Sequence, residues 1–251
     1  MNPPPAVKGA ALLALCALRT DEAVEAVLPY LNDPQPLVRH GALVGLLREG
    51  GIAGIVVAGE RLTALTTAPD PAQRILGAKV LAAVGVRTFY QPLLALLADE
   101  ELAVRQEALL AAQQVCHPRL LPALVAALDD PTMRSSAMAA LVAGGELMQP
   151  LLTQALADKH VLAPATVRRL VRAGGQSRGA WVIAALQPYL DHPDGEVQQQ
   201  VLLALQRSDY RAQGGEIVQV NAVLQACAPR RPASAYGAPK RSVTSRPLRL
   251  C

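Results

Sequence analysis

An apolar residue followed by a basic one recurs along this chain at a nearly constant interval. The pairs are Val7-Lys8, Val38-Arg39, Gln73-Arg74, Val104-Arg105, Met133-Arg134, Val167-Arg168 and, with the charge lost, Val197-Gln198; the steps are 31, 35, 31, 29, 34 and 30 residues. Gln73 breaks the apolar half of the pattern. Two other signatures keep phase with it. An aspartate, in most copies followed by proline, precedes the copies at Asp33-Pro34, Asp70-Pro71, Asp99-Glu100, Asp130-Pro131 and Asp191-His192-Pro193. Turn-forming residues follow at Gly50-Gly51, Gly85, Cys116-His117-Pro118, Gly144-Gly145, Gly174-Gly175 and Ser208-Asp209. Three signatures in phase at this period predict a helical solenoid.

The stretch Asp99–Pro131 shows what one copy is. Val104, Ala108, Ala111, Ala112 and Val115 recur at helical spacing, and Leu121, Leu124, Val125 and Leu128 form a second stripe. Pro118 ends the first helix because it has no N–H to donate. Pro122 fits only a first turn, so the second helix starts near Leu121. Helices shorter than roughly 12–15 residues are marginal alone in water, so each stripe needs the next copy as its neighbour. The sixth copy is irregular. Arg168 lies six residues before Gly174, whereas Arg39, Arg74 and Arg105 lie eleven before Gly50, Gly85 and Cys116. Its first helix is expected to be short or shifted around Pro164, with a local bend. Pro29 and Pro188 sit late in two second helices and should bend the last turn.

The expected fold is all-α: a superhelix of about seven helical hairpins over residues 1–227, followed by a disordered basic tail, 228–251. First helices are expected on the convex side and second helices on the concave side. Half of the 251 residues are apolar, yet aromatics are only 3%. Ala and Leu supply the bulk, which suits close packing of short helices. Net charge is +4, but the tail holds six basic residues (Arg230, Arg231, Lys240, Arg241, Arg246, Arg249) and no acid. That leaves 18 basic against 20 acidic residues, a net of −2, in residues 1–227. The body is therefore not a basic nucleic-acid binder, and no specific nucleic-acid partner is expected. The Pro-, Ser- and Arg-rich tail has no apolar period.

Cys16, Cys116, Cys227 and Cys251 form no Cys-x-x-Cys pair, and Cys16 and Cys116 fall in helical runs. They read as reduced thiols of a cytoplasmic protein. Gly9–Leu18 is apolar after Lys8, but Arg19-Thr20-Asp21-Glu22 follows and no small-x-small cleavage site is present, which argues against a secretory signal. No apolar run approaches 18 residues, so no membrane span is expected.

The Asp-Pro…Val-Arg…Ala pattern, the glycine turn and the Leu-rich second helix resemble HEAT repeats of the short bacterial type, also called PBS-lyase-like HEAT repeats. The resemblance covers about residues 5–226. It implies scaffolds and adaptors more than any one activity. The stretch His192-Pro193-Asp194-Gly195-Glu196-Val197…Asp209-Tyr210-Arg211-Ala212 is also similar to the HEAT segment of some large bacterial transporter-like proteins, which lies between a membrane domain and a cyclic-nucleotide-binding domain. Neither flanking domain is present in these 251 residues. The lyase resemblance implies a third possibility, attachment of an open-chain tetrapyrrole to a cysteine. Trp181, Tyr189, Tyr90 and Phe89 are sparse for such a site.

The ladder Arg39, Arg74, Arg105, Arg134 and Arg168 allows two readings. It is a row of anion sites, or each arginine pairs with a carboxylate of its own or the adjacent copy, among Asp33, Asp70, Asp99 and Asp130. The second reading stitches copies together. Catalysis finds little support. His40, His117, His160 and His192 are scattered over different copies, and none has a neighbour at metal-ligand spacing. Cys116-His117 alone is too short for a zinc site. No nucleophile elbow, phosphate loop or His-Glu-x-x-His occurs. No catalytic, cofactor or metal residue is therefore assigned.

A stack of short hairpins gives a long surface and no deep pocket. The expected function is a non-enzymatic scaffold or adaptor whose concave face engages a protein segment. The helix Gly9–Leu18 has no polar residue on any side, and Ile217–Ala226 keeps Val218, Val220, Val223 and Leu224. A partner at the N-terminal end, or a longer polypeptide, is expected to cover the first of these.

Overall fold

Helix ends in this chain are set by proline on one side and, from the second copy on, by one left-handed residue in the turn on the other. Pro5, Pro36, Pro71 and Pro164 occupy the first turns of first helices, where a missing N–H costs nothing. The carboxylate of Asp70 also caps the helix that Pro71 begins, and that of Asp194 caps one further helix start, each by accepting backbone N–H groups. The left-handed residues are Gly51, Gly85, Cys116, Gly145, Arg178 and Asp209, with φ between 43° and 65°.

The computed structural model describes residues 3–18, 21–158, 162–212, 214–215, 217–218 and 220–221. The expected tail, most of the expected helix 217–226, Cys227, Cys251 and His160 lie outside these. The helices, in chain order, are α1 (Pro5–Cys16), α2 (Asp21–Val27), α3 (Pro36–Glu49), α4 (Gly51–Thr66), α5 (Pro71–Val84), α6 (Tyr90–Leu97), α7 (Leu102–Val115), α8 (Leu121–Ala127), α9 (Arg134–Gly144), α10 (Gln149–Ala157), α11 (Pro164–Ser177), α12 (Ala180–Leu186) and α13 (Gly195–Arg207). Odd-numbered helices are the first helices of hairpins, and even-numbered ones are the second. Among the described residues there is no strand. The chain is an all-α solenoid, with six complete hairpins and the first helix of a seventh described.

Short 3₁₀ turns adjoin five of the six second helices, at Leu28–Asn32, Arg87–Phe89, Pro118–Leu120, Gly145–Met148 and Gln187–Tyr189. Pro29 and Pro188 lie in two of them, so the backbone tightens where proline removes an α-helical donor.

The sixth copy differs from expectation. Its first helix, α11, is as long as α5 and α7, at 14 residues, and runs unbroken through Gly174 and Gly175. The turn comes at Arg178, ten residues after Arg168, so the register is nearly that of the other copies. The two glycines serve packing. A Cβ on Gly175 would lie 2.6 Å from the Ala204 Cβ in α13. Cys116 also differs: it is the left-handed cap after α7, not a helical residue.

Every extensive helix–helix contact lies within one hairpin or between adjacent hairpins. First helices pack in sequence, each on the next. One continuous core of Leu, Val and Ala runs from Leu12 to Val220. The closest approach is between α1 and α3: a Cβ on Gly41 would fall 2.6 Å from the Gly9 Cα. Gly45 gives the same clearance to Cys16, whose Sγ would lie 2.9 Å away.

Adding a methyl at these contacts forces backbones apart. Gly41→Ala and Gly175→Ala are each expected to destabilise by about 1–3 kcal/mol, the usual cost of overpacking. Gly59, inside α4, has nothing within 4 Å of its Cβ position. Gly59→Ala should stabilise, by about 0.5–1 kcal/mol from helix propensity. Urea titrations of the three variants check the two opposite signs.

Candidate functional site

The last carbonyls of any helix lack intrahelical donors and carry the negative end of its dipole. In this chain the ladder arginines of α3, α5, α7 and α9 serve carbonyls just past such ends, in the loop that precedes each of these first helices. Arg39 Nη1 donates to the Asp33 and Pro34 carbonyls at 2.8 and 3.2 Å. Arg74 Nη1 donates to those of Ala68 and Pro69, both at 2.8 Å. Arg105 Nη1 donates to those of Asp99 and Glu100, at 2.7 and 2.8 Å. Arg134 Nε reaches the Leu128 carbonyl at 2.9 Å, and its Nη2 reaches that of Asp129 at 3.5 Å. Gln198, where the charge is lost, still donates to the Leu190 carbonyl at 2.7 Å.

Carboxylates enter unevenly. Arg74 makes a two-pronged pair with Asp99 of the next copy, through Nε at 2.7 Å and Nη2 at 2.9 Å, and both side chains are buried. Lys8 pairs with Asp33 at 2.9 Å and lies over the Tyr30 ring. Arg168 pairs with Glu196. Arg39, Arg105 and Arg134 form no carboxylate pair among the described residues, and Asp70 and Asp130 accept no arginine there. Asp33, Asp70, Asp99 and Asp130 share a different task. Each accepts the backbone N–H two residues ahead, from Gln35, Ala72, Glu101 and Thr132 respectively, at 2.8–3.0 Å. This Asx-type turn launches the next first helix. A link that sequence spacing did not suggest is made by Asp129, which accepts both the buried Thr166 hydroxyl and Arg169 at 2.7 Å.

These contacts perturb titration. The Asp33 carboxyl is held low chiefly by the Gln35 N–H and then by Lys8. The Thr132 hydroxyl and N–H hold Asp130 low, and the Val197 N–H does so for Asp194. Burial pushes the Asp99 carboxyl up, but Arg74 and the Glu101 N–H outweigh it and its pKa is lowered. His40 in α3 is lowered by burial, and a backbone hydrogen bond at Lys79 opposes that only in part.

The second helices present a different surface. Pro122 and Val125 of α8, Leu151, Gln154 and Ala155 of α10, and Leu162 line an open, almost wholly apolar cavity of about 200 Å³. On α4, Ile52, Ile55, Val56 and Val57 are exposed, Ile52 at 85%. Gly54, Ala58, Leu62 and Leu65 form the buried stripe of that helix. The exposed half was visible in the sequence as Gly51–Gly59, nine residues without a polar side chain, a pattern ordinarily found on a helix covered on all sides. Val7, Leu13 and Leu18, at the N-terminal end, are exposed as well.

Chemistry-bearing residues stay dispersed. Among the described residues no group of three or more His, Cys, Asp or Glu side chains could hold a metal ion. Cys16 and Cys116 are free thiols, both raised by burial. Phe89, Tyr90, Trp181 and Tyr189 are each half-buried against the common core. No helix among the described residues is long and apolar enough to cross a membrane.

Residues 59–142 match the family model for HEAT repeats. This stretch of the chain is built of HEAT repeats. The matched segment runs from within α4 to within α9 and so contains Arg74, Arg105, Arg134 and the Asp99 pair. No curated protein matches the chain. The HEAT-repeat architecture is a helical scaffold of the kind that mediates protein interaction.

Two outcomes follow for the ladder. Arg74→Ala leaves Asp99 buried without its cation, whereas Arg105→Ala uncovers carbonyls that water can reach. Arg74→Ala should therefore lower the urea midpoint more than Arg105→Ala, and Asp99→Asn added to Arg74→Ala should recover part of the loss. For pH, a group whose folded pKa is depressed contributes stability above its unfolded value and loses it as pH falls. Stability should thus drop first below about pH 6.5, where His40 begins to protonate on unfolding, and again below about pH 4, where the aspartates do. Thermal melts from pH 3 to 8 should show both steps, with the first absent in His40→Gln.

Proposed function

We propose that this protein is a non-enzymatic HEAT-repeat scaffold or adaptor whose second helices engage a segment of a partner protein. The observation that carries the reading is the apolar cavity between α8 and α10. It opens on the surface, is lined by side chains of consecutive hairpins, and has room for one or two large apolar side chains. Such a recess suits the anchor residues of a docked segment, because apolar area removed from water contributes about 25 cal/mol per Å². The exposed apolar half of α4 offers further area on the same set of helices. In this reading the second helices form the concave face, and the exposed end at Val7, Leu13 and Leu18 is a second contact. The free thiols of Cys16 and Cys116 fit a reducing compartment, for which we take the cytoplasm.

A photo-activated cross-linking residue tests the reading in cells of the native source. Placed at the exposed Gln154 of α10, it should yield a discrete protein adduct that Val125→Asp abolishes. Placed at the exposed Gln106 of α7, it should yield none. Adducts at Gln106 alone, or at neither position, contradict the assignment of the second-helix face.

A further inference from the structure

Acidic residues crowd the loops between the hairpins of this solenoid. The loops between hairpins hold Asp33, Asp70, Asp99, Glu100, Glu101, Asp129, Asp130, Asp191 and Asp194, and the ladder arginines face them. The turns within hairpins lie at the opposite ends of the same helices. In the third and fourth hairpins those turns bring Arg87, His117 and Arg119 together with Tyr90, while residues 85–98 and 113–128 contain no Asp or Glu.

The four side chains are organised. The rings of Tyr90 and His117 lie parallel, 4.0 Å apart and tilted by 4°. The Arg119 guanidinium lies over the Tyr90 ring, 5.6 Å from its centre. The Arg119 backbone N–H donates to His117 Nδ1 at 3.1 Å, which leaves the neutral ring's proton on Nε2. Arg87 is close enough to Cys116 to act on its thiol. Neither Arg87 nor Arg119 enters an ion pair among the described residues, and both are exposed. Two hairpins thus present two cations and an imidazole N–H around a rigid aromatic pair, with no anion built in to answer them.

We propose that this turn edge is a binding site for an acidic peptide segment, with Arg87 and Arg119 holding its carboxylates and the Tyr90–His117 stack fixing Arg119 in place. Arginine suits carboxylates because its planar fork makes two parallel hydrogen bonds. A strand of nucleic acid is the less favoured ligand. His117 already covers Tyr90, where a base would stack, and residues 1–227 carry a net charge of −2. The site shares no residue with the lining of the cavity between α8 and α10, so the two assignments are tested by different variants.

The test is fluorescence anisotropy of fluorescein-labelled hexaglutamate titrated with the full chain at low salt. Saturable binding is expected, and the double variant R87A/R119A should weaken it about tenfold or more, as loss of facing charges at an interface does. Arg61→Ala, at an exposed position of α4, should leave the affinity unchanged. Circular dichroism should show the same helix content in all variants, since each altered side chain is exposed. Absence of saturable binding by the unaltered chain overturns the proposal, as does equal affinity of R87A/R119A. Tighter binding of a labelled hexathymidylate through the same two arginines also overturns it, in favour of nucleic acid.

Discussion

Everything in this molecule depends on one first helix lying against the next. A single hairpin has two apolar stripes and one partner helix, so one stripe is always left over. The following copy covers it, and the contact is made close by small side chains: Gly9 against Gly41, Gly45 against Cys16, Gly175 against Ala204. Close approach excludes water and multiplies dispersion contacts, which compensates for the near absence of aromatic bulk. The order of helices along the chain is therefore also their order in space, and the core is a continuous seam without a centre.

Polar groups at the hairpin junctions are satisfied by the same stacking. The end of a second helix and the start of the next first helix meet at each junction, so bare carbonyls and bare N–H groups lie side by side. The guanidinium serves the carbonyls and the aspartate serves the N–H groups, and only at Arg74 and Asp99 do the two side chains also serve each other in a doubly bonded pair. This explains why a basic residue and an acidic residue recur in phase without forming a pair in every copy. It also leaves the opposite edge, with Arg87 and Arg119, outside that internal accounting.

Much of this was legible in the sequence because each signature answers a local backbone need. Proline at helix starts, aspartate two residues before an N–H and a basic residue six after a bare carbonyl all act over short range. What was not legible turns on residues with two uses. Glycine supplies the left-handed turn at Gly85 and Gly145 but close packing at Gly174 and Gly175, and spacing alone does not tell these apart. The turn of the sixth hairpin falls instead on Arg178, a residue type that seldom takes a left-handed conformation. Cys116 likewise reads as helical by its neighbours, yet caps the helix. The cavity between α8 and α10 was hidden for another reason: it is made by side chains about thirty residues apart, whose relative height depends on how hairpins stack.

Hydrogen exchange on the full chain carrying Leu170→Ala tests the account most directly. Leu170 is fully buried in α11, between α9 and α13. Stability carried by nearest-neighbour contacts predicts that amide protection falls most in α9, α11 and α13 and is progressively less affected toward α1. An equal loss of protection in every helix, α1 and α3 included, would contradict it.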